Sequence, residues 1–177
     1  MTRHLTSLWV AALFATTGLP GPVLAQPPSS MTDQADMTSS NRTAVETMLN
    51  AWMAGDTSAF PALLSDDIEW TIKGNSVAAG TTHGRAELMA KVLTPFGARF
   101  AQSGDRFRPR RIHAIYADGD LVAASFDAAG IANDGTPYSN SYIWLVTMSN
   151  GKIVRATAFF DGAAFDDLWR RVKPTQN

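Results

Sequence analysis

The fold is decided by residues 106–160, which read RFRPRRIHAIYADGDLVAASFDAAGIANDGTPYSNSYIWLVTMSNGKIVRATAFF. Three turn dipeptides divide this stretch: Asp118-Gly119, Asp134-Gly135 and Asn150-Gly151. Asn, Asp and Gly tolerate the positive φ that tight hairpin turns require. Between the turns, apolar residues alternate with period two, as in strands that bury one face. The stretch therefore predicts antiparallel strands at about 106–116, 120–131, 138–148 and 152–160.

Helical patterns precede these strands. A capping box at Thr43-Ala-Val-Glu46, in which each side chain bonds the other's backbone amide, predicts the start of a first helix. Apolar residues then follow at helical spacing until Gly55, a C-terminal cap. A second short helix, a strand at 68–72 and a third helix beginning at Thr82 or His83 are expected next.

A closing helix is predicted from Asp161, which we interpret as its N-cap. The order of elements is helices first, then a curled antiparallel sheet, then one helix. That order predicts an α+β architecture. We expect a cone shape, with the N-terminal helices packed on a curved antiparallel sheet of about four to six strands.

The first 25 residues have the pattern of a secretory signal peptide, with a basic start and an apolar run at 5–19. The run is shorter than the roughly 20 residues that span a bilayer, so cleavage is predicted rather than anchoring. The mature protein is then exported, to the periplasm or outside the cell. Residues 26–41 are rich in Pro, Ser and Thr and predict a disordered spacer. The folded domain is expected at 42–173, with a tail at 174–177.

Composition narrows the classes of function. A formal net charge of -1 gives no reason to expect nucleic acid as a partner. The absence of cysteine excludes disulfides, thiolate metal sites and a cysteine nucleophile. One of the three histidines lies in the predicted signal peptide, so three histidine ligands for zinc are not available. No metal and no cofactor is predicted, and no membrane contact after signal cleavage.

Five short motifs carry a resemblance to a known family: Ala54-Gly55-Asp56, LLSDD at 63–67, His83-Gly84-Arg85, NGKIV at 150–154 and FFD at 159–161. Over about 43–172 the sequence resembles the nuclear transport factor 2 fold and, within it, the SnoaL-like and ketosteroid-isomerase-like group. The resemblance implies a site in the cone, between the sheet and the first helices. It specifies the reaction poorly, because the superfamily contains isomerases, cyclases, epoxide hydrolases, dehydratases and non-enzymes.

The resemblance, carried over by alignment of the turns, implies a set of residues that face the cone. The candidate catalytic residues are Asp127 and Tyr142, with His83 at the rim. The candidate ligand-binding residues are Met48, Trp52, Trp70, Ile72, Ser125, Asn140, Trp144, Ala156, Ala158 and Phe160.

The residues that catalyse reactions in known members of this fold are replaced here. Ketosteroid isomerase uses an Asp base with a Tyr and a protonated Asp, and these positions correspond to Ile72, Met48 and Trp144. The His and Asp of SnoaL-type cyclases fall on Trp144 and Ala158. Epoxide hydrolases of this fold need an Arg and two Asp, whereas the inward set contains a single Asp.

Asp127 is therefore the main candidate for a general acid or base. Small and apolar neighbours would desolvate an inward Asp127 and raise its pKa, as proton transfer near neutral pH requires. Tyr142 would then donate to a substrate oxygen, and Asn140 would orient it. The alternative is that Asp127 faces out or forms a salt bridge with an arginine across the sheet, because a slip of one residue reverses the face of every side chain.

Three other groups have two interpretations each. His83 either touches the pocket rim or serves the turn before a helix. His83 and His113 together give only a weak metal signal. The cluster of Arg106, Arg108, Arg110 and Arg111 either holds an anion or is a solvated strand.

Three functions are compatible with these features. The first is an exported isomerase, cyclase or dehydratase without a cofactor, in which Asp127 moves a proton. The second is a protein that binds a small apolar, aromatic or polycyclic molecule without turning it over. The third is an association module with a vestigial pocket, whose outer sheet face forms a homodimer.

Overall fold

The computed structural model describes residues 31–174 of the 177-residue chain. It is an α+β fold with helices packed on one face of a six-stranded sheet, which confirms the predicted class. The helices are α1 (Met31–Met53), α2 (Ala59–Leu63), α3 (Arg85–Leu88), a π-helical segment (Met89–Leu93), α4 (Thr94–Ala98) and α5 (Gly162–Arg171). The strands are β1 (Leu64–Ile72), β2 (Gly80–His83), β3 (Arg108–Asp118), β4 (Leu121–Ile131), β5 (Pro137–Ser149) and β6 (Lys152–Phe160).

The sheet is built on the hairpins that the turn dipeptides predict. Its strand order is β2-β1-β6-β5-β4-β3, and β3 to β6 pair antiparallel with their neighbours in sequence. Gly119, Gly135, Asn150 and Gly151 all have positive φ, as such turns require. β1 pairs antiparallel with the short strand β2 but parallel with β6, so the sheet is mixed.

The inner face of the sheet forms the core together with the helices. Every second residue of β5 is buried there: Tyr138, Asn140, Tyr142, Trp144, Val146 and Met148. Val45, Met48 and Leu49 of α1 pack on the same core. The period of two predicted a strand with one buried face in β5, and the helical spacing predicted a helix with one buried face in α1. Both predictions are confirmed, and the two faces pack in the same core.

Helix α1 begins earlier than the capping box predicts. It extends back to Met31, so residues 31–41 are helical where a disordered spacer was expected. Two hydrogen bonds fix this extension to the β3–β4 turn. Asn41 Nδ2 donates to the Gly119 carbonyl at 2.9 Å, and the Gly119 amide donates to Thr38 Oγ1 at 2.8 Å. Thr38 and Asn41, whose polar surroundings in the sequence suggest disorder, thus form hydrogen bonds with a distant turn.

The predicted signal peptide (1–25), residues 26–30 of the predicted spacer and the last three residues of the predicted tail lie outside the described residues. Export therefore stays a prediction. Among the helices of residues 31–174, none has the length and apolar character needed to cross a membrane.

We predict that Asn41→Ala lowers the free energy of unfolding by about 1–2 kcal/mol, because it removes the partner of a buried carbonyl. Asn50→Ala is the matched control, since Asn50 is an exposed residue of the same helix. Its substitution should change stability by less than about 0.5 kcal/mol. Thermal denaturation of both variants measures the difference, and equal melting temperatures would contradict the role assigned to Asn41.

Candidate functional site

A cavity of about 390 Å³ lies between the inner face of the sheet and the helices. This volume falls within the range of about 300–1,000 Å³ that is typical of small-molecule sites. Residues of α1, α2, the π-helical segment and α4 line one side, and β1, β4, β5 and β6 line the other. Seven residues that the sequence assigned to a site line it: Trp52, Trp70, Ile72, Tyr142, Trp144, Ala158 and Phe160.

The lining is predominantly aromatic. Seven of the nine phenylalanines of the chain face the cavity: Phe60, Phe96, Phe100, Phe107, Phe126, Phe160 and Phe165. Of these seven, Phe160 alone is in the set of ligand-binding residues predicted above. The i, i+4 spacing of Phe96 and Phe100 was the available signal for two of the others, although Phe100 lies just after α4.

Local backbone geometry brings Trp52 against Phe60. Gly55, with φ of +109°, ends the first helix, and the Asp56 carboxylate then accepts bonds from the Ser58 amide at 2.9 Å and hydroxyl at 2.6 Å. The side-chain bond from Ser58 lowers the pKa of Asp56. This turn stacks the two rings at 5.7 Å with an interplanar angle of 12°.

One polar chain reaches the cavity wall from the buried side of β5. Asn140 Nδ2 donates to the Tyr138 hydroxyl at 3.0 Å, and the Tyr138 and Tyr142 hydroxyl oxygens are 3.2 Å apart. Burial raises the pKa of both tyrosines, and that of Tyr142 rises well above its ordinary value. Tyr142 therefore stays protonated at neutral pH and is a hydrogen-bond donor rather than an acid.

Ionisable groups are scarce around the cavity. Apart from Tyr142, Arg106 is the one titratable side chain among the lining residues in the described part of the chain. Its Nη2 donates to the Ala101 carbonyl at 3.3 Å, at the exposed end of the lining. Among residues 31–174, the cavity wall thus contains no carboxylate and no imidazole that could move a proton.

Comparison with known families matches residues 45–156 to the SnoaL-like domain, which is more than half of the chain. The chain belongs to the SnoaL-like family. This confirms the resemblance that the motifs indicated. None of the functionally curated proteins matches the chain.

Solved structures share the fold of this SnoaL-like domain. Bal32a, from a soil-derived mobile gene cassette, is 21% identical, with a TM-score of 0.60 over 76% of this chain and 99% of that one. A protein with a cystatin-like fold from Xanthomonas campestris is 25% identical, with a TM-score of 0.59 over 73% and 97%. An LEH-like epoxide hydrolase from M. tuberculosis is 24% identical, with a TM-score of 0.53 over 76% and 92%.

The positions that the resemblance assigns to catalysis are apolar in this SnoaL-like domain. Ile72, Trp144 and Ala158 all face the cavity. Met48, together with Ala156, is buried in the core but does not line the cavity. All four positions are thus apolar, and three of them line the cavity.

Asp127 does not face the cavity. The buried residues of β4 are Val122, Ala124, Phe126, Ala128 and Gly130, so Asp127 and Ser125 lie on the outer face. Asp127 pairs with Ser141 in the sheet register, whereas Phe126 pairs with Tyr142. Residues directly opposite on antiparallel strands share a face, so the inward placement of Asp127 and Ser125 was wrong by one residue.

The outward Asp127 joins three strands. Its two carboxylate oxygens lie 2.7 Å from Ser141 Oγ on β5 and 2.8 Å from His113 Nε2 on β3. These hydrogen bonds, the one from Ser141 first, lower the pKa of Asp127, opposite to the rise that an inward carboxyl would show. The carboxylate is therefore a structural anion of the outer face.

Asn140 has a structural role in addition to its bond with Tyr138. Its Nδ2 donates to the Asp161 carbonyl at 2.9 Å, and its Oδ1 accepts from the Asp161 amide at 3.0 Å. The Asp161 carboxylate in turn accepts from the Ala163 amide at 2.9 Å, which confirms Asp161 as the N-cap of α5. Asn140 thus fixes the start of the closing helix and does not line the cavity.

His83 lies at the end of β2, and its side chain is exposed. Its amide donates to the Glu87 carboxylate at 2.6 Å, so it serves the turn before α3 rather than the pocket. β2 and β3 are opposite edges of the sheet, so His83 and His113 cannot share a metal ion. Of the arginine cluster, Arg108 and Arg110 pair with Asp105.

We predict that Asp127→Asn lowers the melting temperature at neutral pH, because charge-assisted hydrogen bonds are stronger than neutral ones. Because the folded-state pKa is lowered, this stabilisation is complete above the ordinary pKa of Asp. It is lost as the pH falls through the lower folded-state value. The gap between wild type and variant should therefore close in acid.

The control is Asp67→Asn, which alters an exposed carboxylate of β1. It should leave the melting temperature nearly unchanged at both pH values. A rise in melting temperature for Asp127→Asn would instead indicate relief of a desolvated carboxylate and would restore the inward placement.

Proposed function

We propose that this SnoaL-like domain binds a small, flat apolar or aromatic molecule in its cavity. The observation that carries the proposal is the aromatic lining of a space of about 390 Å³, to which the described part of the chain contributes no carboxylate or imidazole. Aromatic and aliphatic side chains with few polar groups are typical of ligand sites. Binding would be driven mainly by removal of apolar ligand surface from water.

Proton-transfer catalysis is less well supported by this geometry. A general acid or base must lie within hydrogen-bond reach of the substrate, and Asp127 is on the opposite face of the sheet. The arginine and two aspartates that the epoxide hydrolases of this fold need have one counterpart at the cavity, Arg106. A non-catalytic binding protein is therefore the function that the cavity supports best.

We predict that the domain binds fluorene, an uncharged three-ring hydrocarbon, in equilibrium dialysis. Ala158→Met should weaken this binding by at least about fivefold, because Ala158 lines the cavity and the longer side chain occupies ligand space. Ala123→Met is the matched control, since Ala123 lies on the outer face of β4. Absence of binding by the wild type, or equal loss in both variants, would refute the proposal.

We also propose that the outer face of the sheet forms a homodimer. Ile143 and Leu145 of β5 and Phe159 of β6 are 49%, 38% and 41% exposed. Ile143 pairs with Phe159 in the register, so the side chains lie side by side. Contiguous exposed apolar surface of this kind marks association sites more often than it occurs on monomers.

We predict that Ile143→Glu converts a dimer to a monomer, because it places a charge within the apolar contact. Val77→Glu is the control, since Val77 is 64% exposed in the connection between β1 and β2. Sedimentation velocity measures both. A monomeric wild type, or dissociation by both substitutions alike, would exclude this interface.

A further inference from the structure

The orientation of the Asn140 amide is fixed by the backbone of Asp161. Its Oδ1 accepts from the Asp161 amide and its Nδ2 donates to the Asp161 carbonyl, so exchange of the oxygen and nitrogen would break both bonds. Nδ2 carries two hydrogens. The second hydrogen is the one that reaches the Tyr138 hydroxyl at 3.0 Å.

The Tyr138 hydroxyl therefore accepts a hydrogen bond from Asn140. Its own hydrogen needs an acceptor, because a buried hydroxyl without one costs free energy. Within residues 31–174, the acceptor in reach is the Tyr142 oxygen at 3.2 Å. Tyr138 is buried and, unlike Tyr142, does not line the cavity, so its hydrogen depends on this acceptor. The hydrogen bonds therefore run in one direction, from Asn140 to Tyr138 to Tyr142.

This direction leaves the hydrogen of the Tyr142 hydroxyl without a protein acceptor among the described residues. Tyr142 is only 7% exposed and lines the cavity. Its ring is held by Phe126, stacked at 5.3 Å and 14°, and by Phe160 at 5.7 Å. The Tyr142 hydroxyl is thus a hydrogen-bond donor in a fixed position among apolar side chains, where a hydrogen bond is stronger than in water.

We propose that the cavity selects flat, uncharged aromatic compounds that carry an acceptor oxygen, such as aryl ketones, and that Tyr142 donates to this oxygen. The inference rests on the proposed binding function and adds the ligand class to it. A charge on the ligand beside Tyr142 is disfavoured, because the aromatic wall would desolvate it, whereas Arg106 lies at the exposed end of the lining. Tyr138 and Asn140 act as positioning residues that direct the Tyr142 hydrogen toward the ligand.

The test compares fluorene with 9-fluorenone, which has the same three rings and one carbonyl oxygen. Equilibrium dialysis gives the ratio of the two dissociation constants for the wild type, for Tyr142→Phe and for Tyr116→Phe. The Tyr116 variant is the matched control, because Tyr116 is exposed on β3. In Tyr142→Phe, the ratio reports only the difference in hydrophobicity between the two probes, so its change from the wild type isolates the contribution of the hydroxyl. Near-ultraviolet circular dichroism checks that each variant is folded.

We expect the preference for 9-fluorenone to fall about three- to tenfold in Tyr142→Phe, the range of one net hydrogen bond, and to persist in Tyr116→Phe. Fluorene itself should bind the wild type and Tyr142→Phe alike. The carbonyl stretch of bound 9-fluorenone should lie at lower wavenumber in the wild type than in Tyr142→Phe. If Tyr142→Phe does not fold, this stretch is compared between wild-type-bound 9-fluorenone and 9-fluorenone in an apolar solvent.

The outcomes separate the two proposals. Fluorene binding with an unchanged ratio in Tyr142→Phe would overturn the acceptor preference and leave the binding function intact. Binding of neither probe would overturn both. An unshifted carbonyl stretch in the wild type would show that no donor meets the ligand oxygen and would also overturn the inference.

Discussion

The packing of Trp144 joins the parts of the fold that surround the cavity. Its ring contacts aromatic rings from four other elements, at centroid distances from 4.8 to 6.2 Å: Trp52 of α1, Phe60 of α2, Trp70 of β1 and Phe126 of β4. Truncation of one buried aromatic residue costs roughly 3–5 kcal/mol. Since a domain has only about 5–15 kcal/mol of stability, the remaining elements depend on this cluster. The residues that line the cavity are therefore also the residues that hold the sheet and helices together.

This dual role limits the chemistry of the cavity. A carboxylate among these rings would lose its hydration without gaining a partner, which is costly in an apolar interior. The polar groups that remain on the inner face of β5 are neutral and bonded to one another, from Asn140 through Tyr138 to Tyr142. The anion of the neighbouring strand, Asp127, lies on the outer face with His113 and Ser141. The aromatic core and the absence of a carboxylate among the described residues that line the cavity are thus two results of the same packing.

The sequence predicted which strands pair in the sheet better than it predicted which side of the sheet each residue faces. The turn dipeptides located the hairpins, because Gly119 and Asn150 need positive φ that few residues tolerate. The face of β4 was harder, because alanine occurs on both of its faces. Its large apolar residues also lie on both faces: Val122 and Phe126 on the inner face, and Leu121 and Ile131, at the strand ends, on the outer face. The mid-strand Phe126 was the signal that would have placed Asp127 outside. β3 adds two register shifts against β4, which no local pattern reveals.

The other differences come from contacts distant in sequence. The start of α1 depends on Asn41 and Thr38 bonding Gly119, about 80 residues away, so its local composition suggested a spacer. The short strand β2 has only four residues, none of them strongly apolar, and gains its place by pairing with β1. Seven phenylalanines reach the cavity from five helices and strands and from the connection between α4 and β3. These residues are distant in sequence and meet only in the folded chain, so no local pattern in the sequence predicts that they line one cavity.

The closing helix α5 links the donor in the cavity to the helices that cover it. At its first end, Asp161 fixes the Asn140 amide that begins the chain to Tyr142. At its last turn, the Trp169 ring lies 3.6 Å from the buried guanidinium of Arg99, just after α4. Arg99 also donates to the Pro95 carbonyl at 2.6 Å and the Trp169 carbonyl at 3.4 Å, and burial lowers its pKa. The Arg99 cation is thus stabilised by two backbone carbonyls near helix ends and by the face of an aromatic ring. One helix thus contacts both the amide that begins the polar chain to Tyr142 and the cation beside α4.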